Sequence, residues 1–144
     1  MLLDETSATA TGRPEGMTAV ALVFVAYATI AAAYATLLWA GQIAMASGAW
    51  LIGGGLEIMG KWIFVLYATL HAACGAGLWG MRRWALRLGS LLLLWGLIQV
   101  TPAISSAVAD GRVYAIAREG VQILWRVVAL RYLWLESTRD AFQR

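Results

Sequence analysis

The sequence predicts an all-α integral membrane protein, folded as a four-helix up-down bundle. Of its 144 residues, 61% are hydrophobic and 13% are charged, whereas a soluble domain carries about 25% charged residues. The chain also contains several uncharged stretches that are long enough to cross the hydrocarbon core of a membrane. This core is roughly 30 Å thick, and about 20 helical residues span it. This composition excludes a water-soluble globule, a disordered chain and a free nucleic-acid-binding protein.

The N-terminal part divides into a tail and a first span. We expect residues 1–12 to form a flexible polar tail, because acidic and Ser/Thr residues precede the first apolar run, unlike in a secretory signal. Residues 13–144 are predicted to form a single transmembrane helical domain. Its first span covers about 17–46, a stretch that contains no charge, and Pro14 is suited to the first turn of that helix.

A glycine-rich segment, residues 47–60, separates the first two spans. Its five glycines and single Glu57 interrupt the helical pattern. We predict a loop that rests on the membrane surface with Trp50 at the level of the lipid headgroups. The glycines at 53–55 are not followed by the Lys-Ser/Thr pair of a phosphate-binding loop, so they favour a linker.

The next two spans are predicted over 61–79 and about 84–108. Gly80 ends the first of them. Pro102 is predicted to kink or end the second, with a turn or two of helix continuing beyond it. A fourth span is predicted over about 113–138, after a turn.

The fourth span is the ambiguous one because it contains Arg126 and Arg131. An arginine at the bilayer centre costs roughly 2.5–3.5 kcal/mol, and each Leu, Ile or Val recovers roughly 0.3–0.6 kcal/mol. Insertion is therefore marginal for this segment alone and plausible beside three neighbours. The alternative is an amphipathic helix lying in the interface, which would move the C-terminus to the other face.

Basic residues predict the orientation. With four spans, the side that holds both termini carries seven arginines and the other side carries three basic residues. The seven are Arg13, Arg82, Arg83, Arg87, Arg131, Arg139 and Arg144, and the three are Lys61, Arg112 and Arg118. The positive-inside rule then places both termini in the cytoplasm.

Three short motifs are spread over the chain. They are Arg13-Pro14-Glu15-Gly16, Gly77-Leu78-Trp79 followed by Arg82-Arg83-Trp84-Ala85, and Arg131-Tyr132-Leu133-Trp134 leading to Ala141-Phe142. They resemble the R-P-x-G start, the GLW…RxWA turn and the YL…AF ending of a group of small bacterial four-helix integral membrane proteins of unknown function. The resemblance implies four spans and supplies no catalytic residues. The chain departs from that pattern at glycines 53–55 and in the arginines of helix four.

His71 is the sharpest candidate for a ligand. It lies midway along the second span, and Ala68 and Gly75 leave a gap on the same helical face. A flat macrocycle with one axial ligand, chlorophyll or haem, would need such a gap. A bis-histidine haem is excluded within one chain, because there is one histidine. The alternative is a neutral histidine hydrogen-bonded across a helix interface.

A polar stripe follows helix four. Arg118, Glu119, Gln122 and Arg126 fall within about 100° of arc at 3.6 residues per turn. Ionisable groups within a span mark a functional site by default, so a small transporter or channel is one interpretation. The other is an Arg126 held by Gln122 and by a carbonyl or carboxylate of a neighbouring helix.

Small residues predict close helix packing. Ala73 and Gly77 form a small-xxx-small pair, and alanines fill the first span. Such residues let helices approach closely in lipid, either within the bundle or against a partner.

The sequence contains no catalytic constellation. Cys74 and His71 are three residues apart but have no third orienting residue, and no metal-ligand or nucleic-acid motif is present. We therefore expect a non-enzymatic accessory or structural subunit, with bound lipids, that packs against a larger bacterial respiratory or photosynthetic membrane complex. Two alternatives stay open: a tetrapyrrole-binding subunit that uses His71, and a small transporter or channel that uses Arg126. The expected partners are the lipid bilayer and other membrane subunits, without nucleic acid.

Overall fold

The structure is a computed structural model that describes residues 14, 16–44 and 60–142. Within these residues it contains five α-helices and no strand, which confirms the all-helical prediction for this part of the chain. The helices are α1 (Met17–Trp39), α2 (Trp62–Trp79), α3 (Arg83–Ala109), α4 (Val113–Trp134) and α5 (Glu136–Ala141). The predicted tail over 1–12, and the predicted surface loop over 47–60 apart from Gly60, lie outside the described residues.

Helices α1, α2 and α3 are long and apolar enough to cross a membrane. The 18 residues of α2 span about 27 Å at a rise of about 1.5 Å per residue, close to the hydrocarbon thickness of roughly 30 Å. Helix α4 has 22 residues but is less apolar, because four of them are charged. A membrane protein is consistent with these helices.

Each of the helices α1, α2 and α3 is followed, two residues after its last helical residue, by a residue in the left-handed conformation. These residues are Gly41 (φ 70°), Met81 (φ 53°) and Gly111 (φ 66°). The amide of the following residue then donates to a carbonyl five positions back, as Gln42 does to Leu37 at 2.9 Å. This is the Schellman motif, which satisfies the last carbonyls of a helix.

Two helix ends differ from the predicted ones. Helix α1 ends at Trp39 rather than near residue 46, because Gly41 turns the chain while the sequence is still apolar. Helix α4 ends at Trp134 rather than near residue 138, because Leu135 is extended (ψ 136°) and α5 begins immediately after it. Helices α2 and α3 begin and end within one residue of the predicted 61–79 and 84–108, and α3 passes through Pro102.

Consecutive helices pack side by side. Helix α1 contacts α2, α2 contacts α3, and α3 contacts α4. The indole Nε1 of Trp134, at the end of α4, donates to the Ser90 hydroxyl near the start of α3 at 3.1 Å. At the other end of the molecule, the rings of Trp39 and Trp62 lie 5.2 Å apart between centroids. Across the short turn between α2 and α3, a Cβ atom at Gly77 would lie 2.7 Å from Ala85 Cβ, and one at Gly89 would lie 3.2 Å from Cys74 Sγ. Each of these helix pairs is therefore antiparallel.

Small residues allow the close contact between α1 and α2. A Cβ atom at Gly75 would lie 2.8 Å from Val25 Cγ2 and 3.2 Å from the Ala21 carbonyl oxygen. The buried core around this contact contains Phe24, Cys74 and other side chains from α1 to α5. A second buried cluster lies between α1 and α2 toward their other end.

Candidate functional site

The polar stripe of α4 faces the other helices. The exposed fractions of Glu119, Gln122 and Arg126 are 3%, 7% and 4%, whereas Val121 and Leu124 on the opposite face are each 65% exposed. This is the reverse of the pattern in a water-soluble bundle, where the apolar face is buried. Three residues of the predicted stripe therefore lie in a buried polar cluster, which is the candidate site, whereas the fourth, Arg118, is exposed.

Arg126 spans the contact between α4 and α3. Its Nη1 donates to the Gly96 carbonyl at 3.2 Å, and its guanidinium carbon lies 5.5 Å from the centroid of the Trp125 ring, a cation–π distance. Glycine at position 96 leaves space for the Arg126 side chain, because a Cβ atom there would lie 2.6 Å from Arg126 Nε.

Tyr27 links α1 to α4 at the same level. Its hydroxyl donates to Gln122 Oε1 at 3.2 Å and accepts from Trp125 Nε1 at 3.2 Å. Tyr27 and Tyr67 were not predicted from the sequence to belong to the site. Their positions within apolar spans could have indicated it, because a tyrosine hydroxyl in the middle of a span needs a hydrogen-bond partner.

His71 is buried at the edge of the cluster. Its Nδ1 lies 2.9 Å from the Tyr67 carbonyl oxygen; because a carbonyl can only accept, Nδ1 carries the proton. The imidazole stacks on the Tyr67 ring at 3.9 Å between centroids. The gap predicted beside Gly75 is filled by Val25 of α1, so a tetrapyrrole on this face would have to displace α1.

Glu119 is held by its own helix. Arg118 Nε donates to Glu119 Oε1 at 2.9 Å, and the side chain of Arg118 is partly exposed while that of Glu119 is buried. The carboxylate is thus neutralised by an arginine that reaches the surface of the molecule.

The buried polar groups of the cluster have hydrogen-bond partners. Among the described residues, every buried side-chain nitrogen and oxygen has a hydrogen-bond partner, and no group of three His, Cys, Asp or Glu side chains could hold a metal ion. The thiol of Cys74 donates to the Ala85 carbonyl at 3.7 Å, toward α3. This arrangement is suited to joining helices, since satisfied polar groups in lipid hold neighbouring helices in register.

The predicted small-residue pair is divided between two surfaces. Gly77 is buried against α3, where a Cβ atom would lie 2.7 Å from Ala85 Cβ. Ala73 is exposed on the outer face of α2. The pair therefore does not form one contact with a single neighbouring helix.

A shallow groove of small residues runs along the outside of α1 and α2. We call it the α1–α2 groove. Its volume is about 640 Å³, and its lining is Val25, Ala28, Thr29, Ala32, Ala68, Thr69, Ala72, Gly75, Ala76 and Trp79. The two threonine hydroxyls donate to carbonyls one turn earlier in their own helices, at 2.9 and 2.8 Å. The groove thus presents an apolar surface without unpaired hydroxyls.

Comparison with protein-family models, with curated proteins and with solved structures gave no match. The function is therefore inferred from the chain itself.

Proposed function

We propose that this chain is a non-enzymatic accessory subunit of a larger bacterial membrane complex, respiratory or photosynthetic. Helices α1 to α4 would cross the inner membrane in up-down order, as in the small four-helix membrane proteins that the sequence resembles. The observation that carries the proposal is the α1–α2 groove, an exposed surface of small residues on the outside of the bundle.

The inverted faces of α4 support a fourth crossing. An amphipathic helix in the interface turns its charged face to water. Here the α4 face with Glu119 and Arg126 is covered by the other helices, while Val121, Leu124 and Val128 are exposed. These apolar side chains can be exposed to lipid without a cost in free energy, because lipid tails are themselves apolar.

Exposed tryptophans at both ends support the same placement. Trp79, Trp84 and Trp134 lie at one end of the bundle and Trp39 and Trp62 at the other, and all five are exposed. Between Trp62 and Trp79 the axis of α2 rises about 26 Å at about 1.5 Å per residue. Indole rings favour the two membrane interfaces, which are separated by roughly this distance.

The arginines support cytoplasmic termini. Of the described basic residues outside the buried cluster, five lie toward the end with Trp79 and three toward the end with Trp62. The five are Arg82, Arg83, Arg87, Arg131 and Arg139. Basic residues concentrate on the cytoplasmic side.

The α1–α2 groove is suited to a transmembrane helix of a partner subunit. Small side chains let two helix backbones approach closely, and close packing is a main source of helix association in lipid. Among the described residues, the buried polar side-chain atoms already have hydrogen-bond partners inside the bundle. A partner helix would therefore bind the groove through close packing rather than through hydrogen bonds. A subunit of this kind adds contact area to a complex.

The test is purification of the tagged full-length chain from its native membranes in mild detergent, followed by native gel electrophoresis. Ala32→Leu fills the α1–α2 groove; Ala33→Leu is the matched control, exposed on the same helix but outside the groove. We expect wild type and Ala33→Leu to migrate in a complex much larger than the chain, and Ala32→Leu to migrate free. A wild-type chain that migrates alone would refute the proposal, as would equal behaviour of both variants.

The two alternative functions have separate readouts. A tetrapyrrole-binding subunit predicts a visible absorption band that is lost in His71→Leu. A transporter or channel predicts ion flux in reconstituted vesicles that is lost in Arg126→Leu.

A further inference from the structure

A second cavity lies at the end of the bundle where the first two turns of α3, the last turn of α4 and α5 meet. We call it the arginine cavity. Its volume is about 510 Å³, within the range of roughly 300–1,000 Å³ usual for small-ligand sites. Its polar lining consists of Arg83, Arg87, Ser90 and Arg139. A neighbouring cavity shares Arg83 and Arg87 and adds Arg82.

The described walls of the arginine cavity carry three guanidinium groups, and none of these described lining residues is a carboxylate. The ion pairs that the structure shows within the described residues, Arg112–Asp110 and Arg118–Glu119, lie elsewhere. An anion is therefore the complementary ligand.

The cavity is also partly preorganised. Arg83 Nε donates to the Phe142 carbonyl at 3.1 Å, which holds the end of α5 against the start of α3. The Trp134 indole is fixed by its bond to Ser90 at 3.1 Å.

The walls of the arginine cavity are partly charged and partly apolar. Leu86 and Leu133 line it beside the arginines. The exposed rings of Trp84 and Trp134 mark this end as the level of the headgroups. A charged head with an apolar body below it is the shape of a phospholipid.

We propose that the arginine cavity binds the phosphate group of an anionic phospholipid. Arg87 and Arg139 contact the phosphate oxygens, since the planar guanidinium matches phosphate geometry, and Leu86 and Leu133 contact the start of the acyl chain. Basic pockets between helices on the cytoplasmic side bind lipid headgroups in this way. The bound lipid would bridge α3 and α5 and so fix the depth of the chain in the bilayer. This inference rests on the proposed membrane location.

The test uses purified full-length protein in detergent micelles and native mass spectrometry, with phosphatidylglycerol and phosphatidylcholine of identical acyl chains as probes. We expect phosphatidylglycerol to be retained in preference to phosphatidylcholine. At a factor of about five per arginine, Arg87→Gln combined with Arg139→Gln lowers the affinity for phosphatidylglycerol about twenty-five-fold. The lysine versions of the same two changes keep most of the preference.

Arg112→Gln is the matched control, because it removes the same charge from an exposed arginine at the opposite end of α3. Its phosphatidylglycerol affinity should equal that of wild type. Equal retention of the two lipids by wild type would overturn the proposal, and so would an equal loss in Arg112→Gln, which would indicate general attraction between charges. Inorganic phosphate is the third probe; if it binds as tightly as the lipid, the ligand is a free anion and the lipid assignment is wrong.

Carbonate extraction of membranes separates this inference from the proposed function. If the chain leaves the membrane in carbonate, the membrane location itself is refuted. If it stays in the membrane but shows no preference for phosphatidylglycerol, the lipid site alone is refuted. Circular dichroism of each variant shows whether the helices are intact.

Discussion

Replacing Gly75 by Ala tests the close contact between α1 and α2. The added Cβ atom would lie 2.8 Å from Val25 Cγ2, 3.2 Å from the Ala21 carbonyl oxygen and 3.3 Å from the Val25 amide nitrogen. Two of these three neighbours are backbone atoms, so a side-chain rotation cannot relieve the overlap and α1 must shift. Overpacking of this kind costs about 1–3 kcal/mol.

The same substitution also favours the helix. Alanine is better than glycine in a helix interior by roughly 0.5–1 kcal/mol. The net expectation for Gly75→Ala is therefore a loss of about 0–2.5 kcal/mol in the free energy of unfolding. Gly120→Ala in α4 is the matched control, because a Cβ atom there has no neighbour within 4 Å.

The free energy of unfolding can be measured by titrating the detergent-solubilised protein with sodium dodecyl sulfate and following tryptophan fluorescence. Gly75→Ala should unfold at a lower denaturant fraction than wild type, and Gly120→Ala at the same or a higher fraction. If Gly75→Ala is as stable as Gly120→Ala, the two helices are not as close as the structure shows, and the reasoning fails.

Three further substitutions or probes test the buried residues. Arg126→Leu should improve membrane insertion of the isolated α4 segment by about 3 kcal/mol in a translocon glycosylation assay, and an unchanged inserted fraction would contradict this. The same substitution should destabilise the full-length protein, because the bond from Arg126 to the Gly96 carbonyl is lost. Tyr27→Phe removes two hydrogen bonds and should cost about 0.6 kcal/mol for each in the same unfolding titration; stability equal to wild type would mean that these bonds contribute nothing. The thiol of Cys74 is buried and should react with a maleimide only after unfolding, so labelling of the folded protein would show that the α2–α3 contact opens.

The bounds of α2 and α3 follow closely from composition. Both lie between polar or glycine-containing turns, and hydrocarbon thickness sets a minimum length for an uncharged segment. The end of α1 did not follow, because apolar residues continue past Trp39. The decisive feature is Gly41, whose left-handed conformation ends α1. A glycine within an apolar run does not by itself predict a helix end, because the backbone conformation at that glycine must also be known.

The membership of the candidate site was predictable only in part. Helical periodicity places Glu119, Gln122 and Arg126 on one face of α4 whatever the surroundings. It does not say whether that face meets water or protein. The partners Tyr27 and Gly96 lie 95 and 30 residues away from the α4 residues they contact, and no local pattern connects such positions.

Local chemistry alone thus determined that the chain is helical, where three apolar helices lie, and which α4 residues share a face. These properties depend on neighbours within a turn or two and on the thickness of the surrounding lipid. Only the tertiary structure decided that the charged face of α4 is turned inward, that Gly96 makes room for Arg126, and that three arginines surround one cavity. These arrangements depend on how helices pack, and helix packing joins residues that are far apart along the chain.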